Sequence, residues 1–425
     1  MTPSSFAPGP LRGDIVVPGD KSISHRALFV AARSTLPVAI GNLNAGADVR
    51  ATVDTLGMLG VRIVETGTGI TVAAETLRSP GRTLNCMNSG STARMLLGLC
   101  AGAALEAQLD GDASLQLRPM EPVAAQIRAF GARIQTTGGT LPASVTGSRE
   151  VQTRKFILIA PSAQVKTAIL LAGLFARVAV TVLGDKGSRD HTERLLKYLG
   201  ADITFDRSSV VLRAAPDIGG TIEIPGDFSA AAFFLVAATI CPGSSIRLRG
   251  VGVNPTRTGL LDILTQMGSN IALENEREIC GEPVADIVAQ YAPLRGIAIG
   301  ADLALRAIDE IQAVAVAAAF ASGETRITGV KELRVKESDR IAAIERMLSA
   351  VGITADALPD GITIRGGTPA AGTVTVNTQD DHRTVMASAA LAAGAGTLRV
   401  DSAQSAEVSF PGFARAWSAA QGSVS

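Results

Sequence analysis

A helical pattern that ends in glycine and runs into a short β-prone stretch recurs six times along this chain, and that recurrence limits the fold more than anything else in the sequence. The copies read TLGMLGVRIVE, QIRAFGARIQT, LLKYLGADITF, LTQMGSNIALE, MLSAVGITADA and, more weakly, WSAAQGSVS. Their glycines are Gly60, Gly131, Gly200, Gly268, Gly352 and Gly422, spaced 71, 69, 68, 84 and 70 residues apart. A fixed period of this kind means that one supersecondary unit is used repeatedly. Glycine just past the last helical turn takes left-handed φ at little cost, so each unit carries a helix, a turn and a strand. A conventional doubly wound sheet alternates strand and helix without such a period. The chain therefore reads as α/β, with two similar domains of three units each.

Two related phrases divide the chain. PGDKSISHR begins at Pro18, and PGDFSAAAFFLVAA begins 207 residues later at Pro225, close to half of the 425 residues. Each half is long enough for its own core. The phrases are read as the crossings between domains, with a hinge of two strands near Gly19–Lys21 and Gly226–Phe228. One domain then comprises 1–20 with 227–425, and the other 21–226. Ligands favour clefts between domains, which places the basic residues of the first phrase at the mouth of the cleft. The second phrase has lost them and reads as structural.

Charge says what such a cleft would take. Lys+Arg and Asp+Glu balance at 39 each, with a pI near 6.9. Nucleic-acid and membrane surfaces normally bring a basic excess. Local basic clusters in a balanced chain point instead to a small anionic ligand. The apolar runs ILLAGLF and AVAVAAAFA fall short of the roughly 20 residues that span a bilayer. MTPSSFAPGP has neither a basic nor an apolar signal region, and reads as a short disordered lead-in. Cys86, Cys100, Cys241 and Cys280 show no CxxC spacing. They read as reduced and mostly buried, as in a cytoplasmic protein without structural zinc.

Arginine or lysine at the start of an apolar helix is the recurring local theme. In PGDKSISHRALFVAA, Asp20 or Ser22 can cap a helix whose first turns carry Lys21, Ser22 and Arg26. A helix N-terminus suits a phosphate or carboxylate; a solvated, capped helix also fits the segment. NSGSTARML reads as a small-residue loop leading into a helix, where a backbone can approach a ligand, or as a simple turn. Arg118 precedes a proline and is extended. Ser162 and Gln164 lie just ahead of a buried helix, Arg189 precedes what resembles a capping box from Asp190 to Glu193, and Arg257 precedes another helix. Asp309 and Glu310 stand at the threshold of a strongly apolar helix. A carboxylate there can have its pKa shifted for acid–base work or can complement the helix dipole. Lys336, Glu337, Asp339 and Arg340 taken alone read as a solvated, charge-alternating face. Asp381, His382 and Arg383 open a further apolar helix. No Walker A loop, dinucleotide fingerprint, nucleophile elbow or local histidine metal motif is present. Repeated cations at helix starts describe a cleft for substrates with several negative charges.

Taken together, the phrases PGDKSISHR, NSGSTAR, GDASLQLRPM, SAQVKTAILLAG, RDHTE, NPTRTG, LRVKESDR and DHR closely resemble, in order, the 5-enolpyruvylshikimate-3-phosphate synthase family. They run from residue 18 to 383, and SFPGF extends the match to Phe413. The resemblance implies two domains, each of three βαβαββ units (the enolpyruvyl transferase fold, an inverse α/β barrel), with the active site in the inter-domain cleft. It implies transfer of the enolpyruvyl group of phosphoenolpyruvate to the 5-hydroxyl of shikimate 3-phosphate, with release of phosphate, through a tetrahedral intermediate. No cofactor or metal is expected, and the family is usually monomeric.

Residue by residue, the resemblance gives Lys21, Ser22 and Arg26 substrate contacts, Lys21 facing phosphoenolpyruvate as well and joining Asp309 and Glu337 as catalytic. Ser162, Ala163, Gln164 and Arg189 are implied to hold shikimate 3-phosphate. Asp309 and Lys336 bind its hydroxyls, and Asp309 takes the 5-hydroxyl proton. Glu337 exchanges the proton at C3. Arg118, Arg340 and Arg383 clamp phosphoenolpyruvate, with Gln164 and the backbone at Gly90 beside it. Arginine suits these positions because its fork grips carboxylate and phosphate with two prongs. Some members carry lysine immediately before the [ST]FP phrase where this chain has Val408, so no further lysine is assigned. Gly90 is alanine in some herbicide-tolerant members, and inhibition by glyphosate is therefore expected here. Closure of the domains should require the anionic substrate, because cations on both faces repel.

Two other functions remain in view. The sister enzyme, which transfers enolpyruvyl to UDP-N-acetylglucosamine, uses a cysteine on a mobile loop, whereas Cys86 reads as part of a strand. A non-catalytic module that binds a phosphorylated metabolite would not need Lys21, Asp309 and Glu337 together.

Overall fold

Each of the six repeat glycines stops a helix in the structure, with φ from 74° to 119°. Five are followed by a strand; the stretch after Gly422 lies outside the described residues. This computed structural model describes residues 4–422 apart from 68, 75, 186 and 215–218. The chain divides into two compact units. One consists of Gly19–Ile224 with Glu278–Glu282, the other of the segment up to Pro18, Pro225–Arg277 and the segment from Pro283 onward.

The first unit holds α1 (Lys21–Ala31), α2 (Ala47–Met58), α3 (Gly90–Gly102), α4 (Glu121–Phe130), α5 (Ala163–Ala176) and α6 (His191–Tyr198). Its three four-stranded sheets share one plan, a parallel pair continued by an antiparallel hairpin. In space the strands run Gly220–Glu223, Val38–Gly41, Gly69–Ala74, Val61–Thr66; then Leu84–Asn85, Glu106–Asp110, Thr140–Thr146, Arg133–Thr137; then Arg154–Ile157, Val180–Leu183, Ser209–Ala214, Asp202–Phe205. The second and third sheets, with their helices, are contiguous βαβαββ units. The first borrows its parallel edge strand from the far end of the segment. Helices α1, α3 and α5 are buried on nearly every side and form the interior, with the strands' alternating faces closing over them. A Cβ at Gly98 or Gly102 would collide with the backbone at Ala168 and Ala172, so glycine sets the close approach of α3 to α5.

The second unit repeats the plan with α7 (Phe228–Ile240), α8 (Gly259–Met267), α9 (Ala301–Arg306), α10 (Ile311–Ala319), α11 (Arg340–Ala350), α12 (His382–Gly394) and α13 (Phe413–Ala420). Helices α7, α10 and α12 pack on one another as its buried centre. Its sheets run Arg12–Ile15, Ser245–Gly252, Glu282–Gln290, Asn270–Ile279; then Ala298–Ile299, Glu324–Thr328, Gly361–Arg365, Thr354–Leu358; then Thr373–Val376, Thr397–Val400, Ser4–Phe6.

That last strand corrects the reading of the N-terminal stretch as a disordered lead-in. Ser4–Phe6 pairs antiparallel with Thr397–Val400 and takes the place that a following strand fills in the other five sheets. Phe6 is 6% exposed and sets its ring 6.0 and 6.4 Å from those of Phe413 and Trp417. A three-residue strand has no period to read, and its partner lies at the opposite end of the sequence.

The crossings also differ from expectation, because neither is a strand. Asp20 Oδ1 accepts from the Ile23 N–H at 2.8 Å, and Asp227 Oδ1 accepts from the Ser229 N–H at 2.7 Å. Both PGD phrases are therefore helix caps, and α1 and α7 start at once behind them. Among the described residues no helix is long and apolar enough to cross a membrane.

Candidate active site

In the first unit the expected residues gather at the N-terminal ends of its three interior helices. Lys21 opens α1 and pairs with Asp48 of α2 at 2.7 Å. The Asp48 carbonyl in turn accepts from Thr92 Oγ1 of α3 at 3.4 Å. Ser22 stands one residue further on, and its carbonyl accepts from Arg26 Nη1 at 2.8 Å. Arg26 Nε donates to Thr192 Oγ1 at 2.9 Å, which places Arg26 at the start of α6. There it meets Arg189. Burial first, and the Arg189 charge second, push the Arg26 guanidinium down to about 10. Two guanidiniums held this way are stabilised by an anion.

Ser162 caps α5, Ala163 is its first residue, and Gln164 follows. Gln164 Oε1 accepts from Arg94 Nη1 at 2.8 Å, and its Nε2 donates to Ser91 Oγ at 3.1 Å. Both partners are on α3, where Gly90 is the first residue. Arg94 Nη2 also donates to the Pro119 carbonyl at 2.8 Å, beside Arg118. Arg118 donates to Asn88 and, at 3.2 Å, to Ser114. Arg94, which the sequence reading passed over, thus links Gln164 to the carbonyl of the residue after Arg118 and lies against Gly90. Its position four residues after Gly90, on the same helical face, was the available signal.

Beneath this group Lys166 is 1% exposed and lies 2.8 Å from Asp185 and 2.6 Å from Glu193. Burial pushes the Glu193 carboxyl up against the pull of Lys166. The capping box expected at Asp190–Glu193 does not form. Glu193 is drawn inward to Lys166, and the Asp190 side chain pairs with Arg194 at 3.0 Å. These ion pairs flank the loop that carries Arg189.

In the second unit Arg340 is the centre of the group. Its Nε donates to Asp381 Oδ2 at 2.8 Å, its Nη2 donates to Glu337 at 2.6 Å, and its Nη1 lies 3.8 Å from Asp309. Burial works against the charge, but Asp381 and then Glu337 outweigh it and hold the Arg340 guanidinium above its ordinary value. Burial likewise opposes charge on Asp381, and Arg340 carries its carboxyl below the usual range. At 2% exposure, Arg340 is not on the solvated face that its neighbours' alternating charges suggested. Its partner Asp381 comes from the start of a different helix, α12.

Arg383, two residues after Asp381, donates to the Asp309 carbonyl and lies 3.6 Å from the Asp309 carboxylate. The structure therefore brings Asp309, Glu337, Arg340 and Arg383 together. It does not bring in Lys336, whose ion pair is with Glu332 at 2.9 Å. Arg257 also leaves the expected set of anion ligands: both oxygens of the buried Glu310 accept from its Nη1, at 2.8 and 2.9 Å. Ser229, in the second PGD phrase, donates to Glu310 and accepts from Arg383 at 3.0 Å. That phrase is thus more than a core-filling copy of the first.

Cys86 follows the strand Leu84–Asn85 and is fully buried; burial, then Cys100 and Asp110, push its thiol up to about 12. Such a thiol is a poor proton donor near neutral pH.

Comparison with known proteins places the chain in a family. The sequence pattern of the family described as EPSP synthase (3-phosphoshikimate 1-carboxyvinyltransferase) matches residues 6–417. A 3-phosphoshikimate 1-carboxyvinyltransferase of Anaeromyxobacter sp. (strain Fw109-5) is 44% identical over 409 residues, 95% of this chain and 95% of the relative. Among solved structures, an EPSP synthase from Acinetobacter baumannii superposes with a TM-score of 0.85 at 38% identity, covering 98% of this chain and 97% of that one. The enolpyruvyl transferase NikO from Streptomyces tendae, 17% identical with a TM-score of 0.78 over 97% of this chain and 96% of its own, shares the fold. The chain belongs to the EPSP synthase (3-phosphoshikimate 1-carboxyvinyltransferase) family.

Proposed function

We propose that this chain transfers the enolpyruvyl group of phosphoenolpyruvate to the 5-hydroxyl of shikimate 3-phosphate and releases phosphate. The observation that carries this reading is the second unit's cluster, where one carboxylate, Asp309, lies within 4 Å of two guanidiniums and a second, Glu337, is held at 2.6 Å by one of them. Addition–elimination needs a base at a hydroxyl, an acid at carbon and cations over the anionic groups.

Asp309 takes the 5-hydroxyl proton as the oxygen adds to C2, and Glu337 delivers a proton to C3, giving the tetrahedral intermediate. Loss of a proton from C3 then reforms the double bond as the C2–O bond to phosphate breaks. Arg340 and Arg383, with Arg118, Gln164 and the Gly90 backbone, bind phosphoenolpyruvate. Lys21, Ser22, Arg26, Ser162, Ala163, Gln164 and Arg189 bind shikimate 3-phosphate, with Lys21 reaching both substrates and Lys336 recruited to the shikimate hydroxyls on binding. The two compact units serve as the two domains of a monomeric, cytoplasmic enzyme. Glyphosate inhibits it, because Gly90 leaves room for a bulkier mimic of phosphoenolpyruvate.

Phosphate release from phosphoenolpyruvate tests the reading, with shikimate 3-phosphate and, separately, UDP-N-acetylglucosamine as acceptor. Release with the shikimate ester alone is expected. Release with the nucleotide sugar alone would make the chain the sister transferase, a reading that the buried, high-pKa Cys86 thiol already disfavours.

A further inference from the structure

Behind Asp309 stands a second carboxylate that the reaction does not use. Glu310 is 0% exposed, and an isolated charge at such a depth is costly. Two guanidiniums neighbour it. Arg257, 3% exposed, is bound to both of its oxygens at 2.8 and 2.9 Å, and Arg383 lies 3.7 Å from Oε1. Ser229 Oγ joins all three groups, donating to Glu310 and accepting from Arg257 and from Arg383. Arg257 is further fixed over the Phe228 ring, 5.9 Å from its centroid.

A buried carboxylate attracts the nearest cation with a strength that depends on how far its charge is already met. Arg257 occupies both Glu310 oxygens in two close bonds, so Arg383 is left at ion-pair distance, held by the Ser229 hydroxyl and the Asp309 carbonyl. Without Arg257, the uncompensated Glu310 would draw Arg383 the short remaining distance into a direct pair. Its fork would then be turned away from any incoming anion.

We propose that Arg257 is a positioning residue: its paired bonds to Glu310, seated by Ser229, keep Arg383 available to the anionic substrate instead of collapsed on Glu310. The inference rests on the reading of Arg383 as a phosphoenolpyruvate ligand, and the variants below separate the two. Steady-state kinetics with each substrate varied in turn would compare R257Q, E310Q, R257Q/E310Q and R383A. R257Q should raise KM for phosphoenolpyruvate at least about tenfold and leave KM for shikimate 3-phosphate within about threefold. Adding E310Q removes the attracting charge and should restore KM for phosphoenolpyruvate to within about threefold of the parent. A merely structural role for Arg257 predicts the reverse, equal losses for both substrates and no rescue.

If R257Q does not fold, R257K carries the same test, since a single ammonium cannot hold Glu310 and Ser229 as Nη1 and Nη2 do. KM for phosphoenolpyruvate should then rise at least about threefold, with the same rescue by E310Q. No rescue, or no preference for phosphoenolpyruvate, overturns the proposal. An R383A enzyme with unchanged KM for phosphoenolpyruvate would instead remove Arg383 from the ligand set. An R383A defect beside a silent R257Q would remove the positioning role alone.

Discussion

A single methyl at residue 90 should weaken phosphoenolpyruvate binding through a neighbour. Gly90 lies in the first turn of α3 without a positive φ, so alanine adds no backbone strain there. The effect is steric. An ideal Cβ would lie 2.6 Å from Arg94 Nη1 and in ordinary contact, at 3.6 Å, with Leu115 Cδ1. Ordinary contact begins at 3.4 Å, so the guanidinium must withdraw by about 0.8 Å, the difference from 2.6 Å. The bond from Arg94 Nη1 to Gln164 Oε1, now 2.8 Å, would then stretch beyond hydrogen-bond range unless Gln164 follows. A hydrogen bond to a charged group contributes about 1.5–3 kcal/mol, and water replaces part of it at this half-exposed site. A loss of about 1–2 kcal/mol follows, which is a rise in KM for phosphoenolpyruvate of roughly 5–30-fold. Shikimate 3-phosphate, for which Lys21, Arg26 and Arg189 are proposed as further ligands, should be affected less. The assay is phosphate release with phosphoenolpyruvate varied, on Gly90→Ala, Gln164→Ala and the double variant. If the methyl acts by displacing Arg94 from Gln164, it has little left to remove once Gln164 is gone, so the losses should be far from additive. Additive losses, or a Gly90→Ala enzyme with unchanged KM, would refute the reasoning.

Other expected outcomes follow from single features of the two units. Asp381→Asn withdraws a buried carboxylate from Arg340 at 2.8 Å and should cost about 3–5 kcal/mol of stability in urea titration; a loss under about 1 kcal/mol would contradict a structural role for the pair. Phe6→Ala should destabilise the second unit by about 3 kcal/mol or more, measured as a lowered urea midpoint, whereas a disordered lead-in predicts no change. His25 is fully buried, with Nδ1 at 2.8 Å from Thr52 Oγ1. Burial, then Lys21 and Arg26, hold its pKa well below 6.5. The unfolded chain takes up this proton as pH falls through its ordinary value and the folded chain does not. Stability is therefore undiminished by His25 above about pH 6.5 and falls below it by about 1.4 kcal/mol per pH unit. Unfolding free energies from about pH 7 to pH 5 should show that slope reduced by one proton's worth in His25→Asn; identical slopes would mean that His25 is not held neutral.

What the sequence made legible was chemistry that acts within a few residues. A glycine after a helical turn needs only its own φ, and all six repeat glycines adopt the left-handed region that the period called for. Asp20 caps α1 three residues before its donor, and Ser162 does the same for α5. Arg340 and Arg383 were legible for a different reason: they stand in the family phrases LRVKESDR and DHR. The illegible parts are pairings set by tertiary folding. Arg340 looked solvated because Glu337 and Asp339 are beside it, yet the partner that buries it is 41 residues away. Nothing near Lys166 in the sequence marks its partners Asp185 and Glu193, which come from later segments. Ser4–Phe6 had no pattern at all, because its register belongs to the strand Thr397–Val400.

The two PGD phrases show how one local device comes to serve two ends. Both aspartates cap the helix that follows, so both phrases start an interior helix and put a serine in its first turn. In the first, Lys21 precedes that serine and finds Asp48, leaving a lysine side chain 15% exposed at the helix start. In the second, Phe228 takes the lysine position and forms a floor for Arg257, while Ser229 turns inward to Glu310 and Arg383. The second copy has therefore kept its cationic function but moved it. The charge at its helix start now comes from Arg257 and Arg383, delivered by other segments around a buried carboxylate. This predicts opposite responses at the two serines. Ser22→Ala removes a hydroxyl from a helix start that keeps its own cation, and should leave phosphoenolpyruvate KM within about threefold. Ser229→Ala removes a hydroxyl that touches Glu310, Arg257 and Arg383 together, and should raise it by about tenfold or more. Equal sensitivity at the two positions would mean that the phrases remain equivalent in function as well as in form.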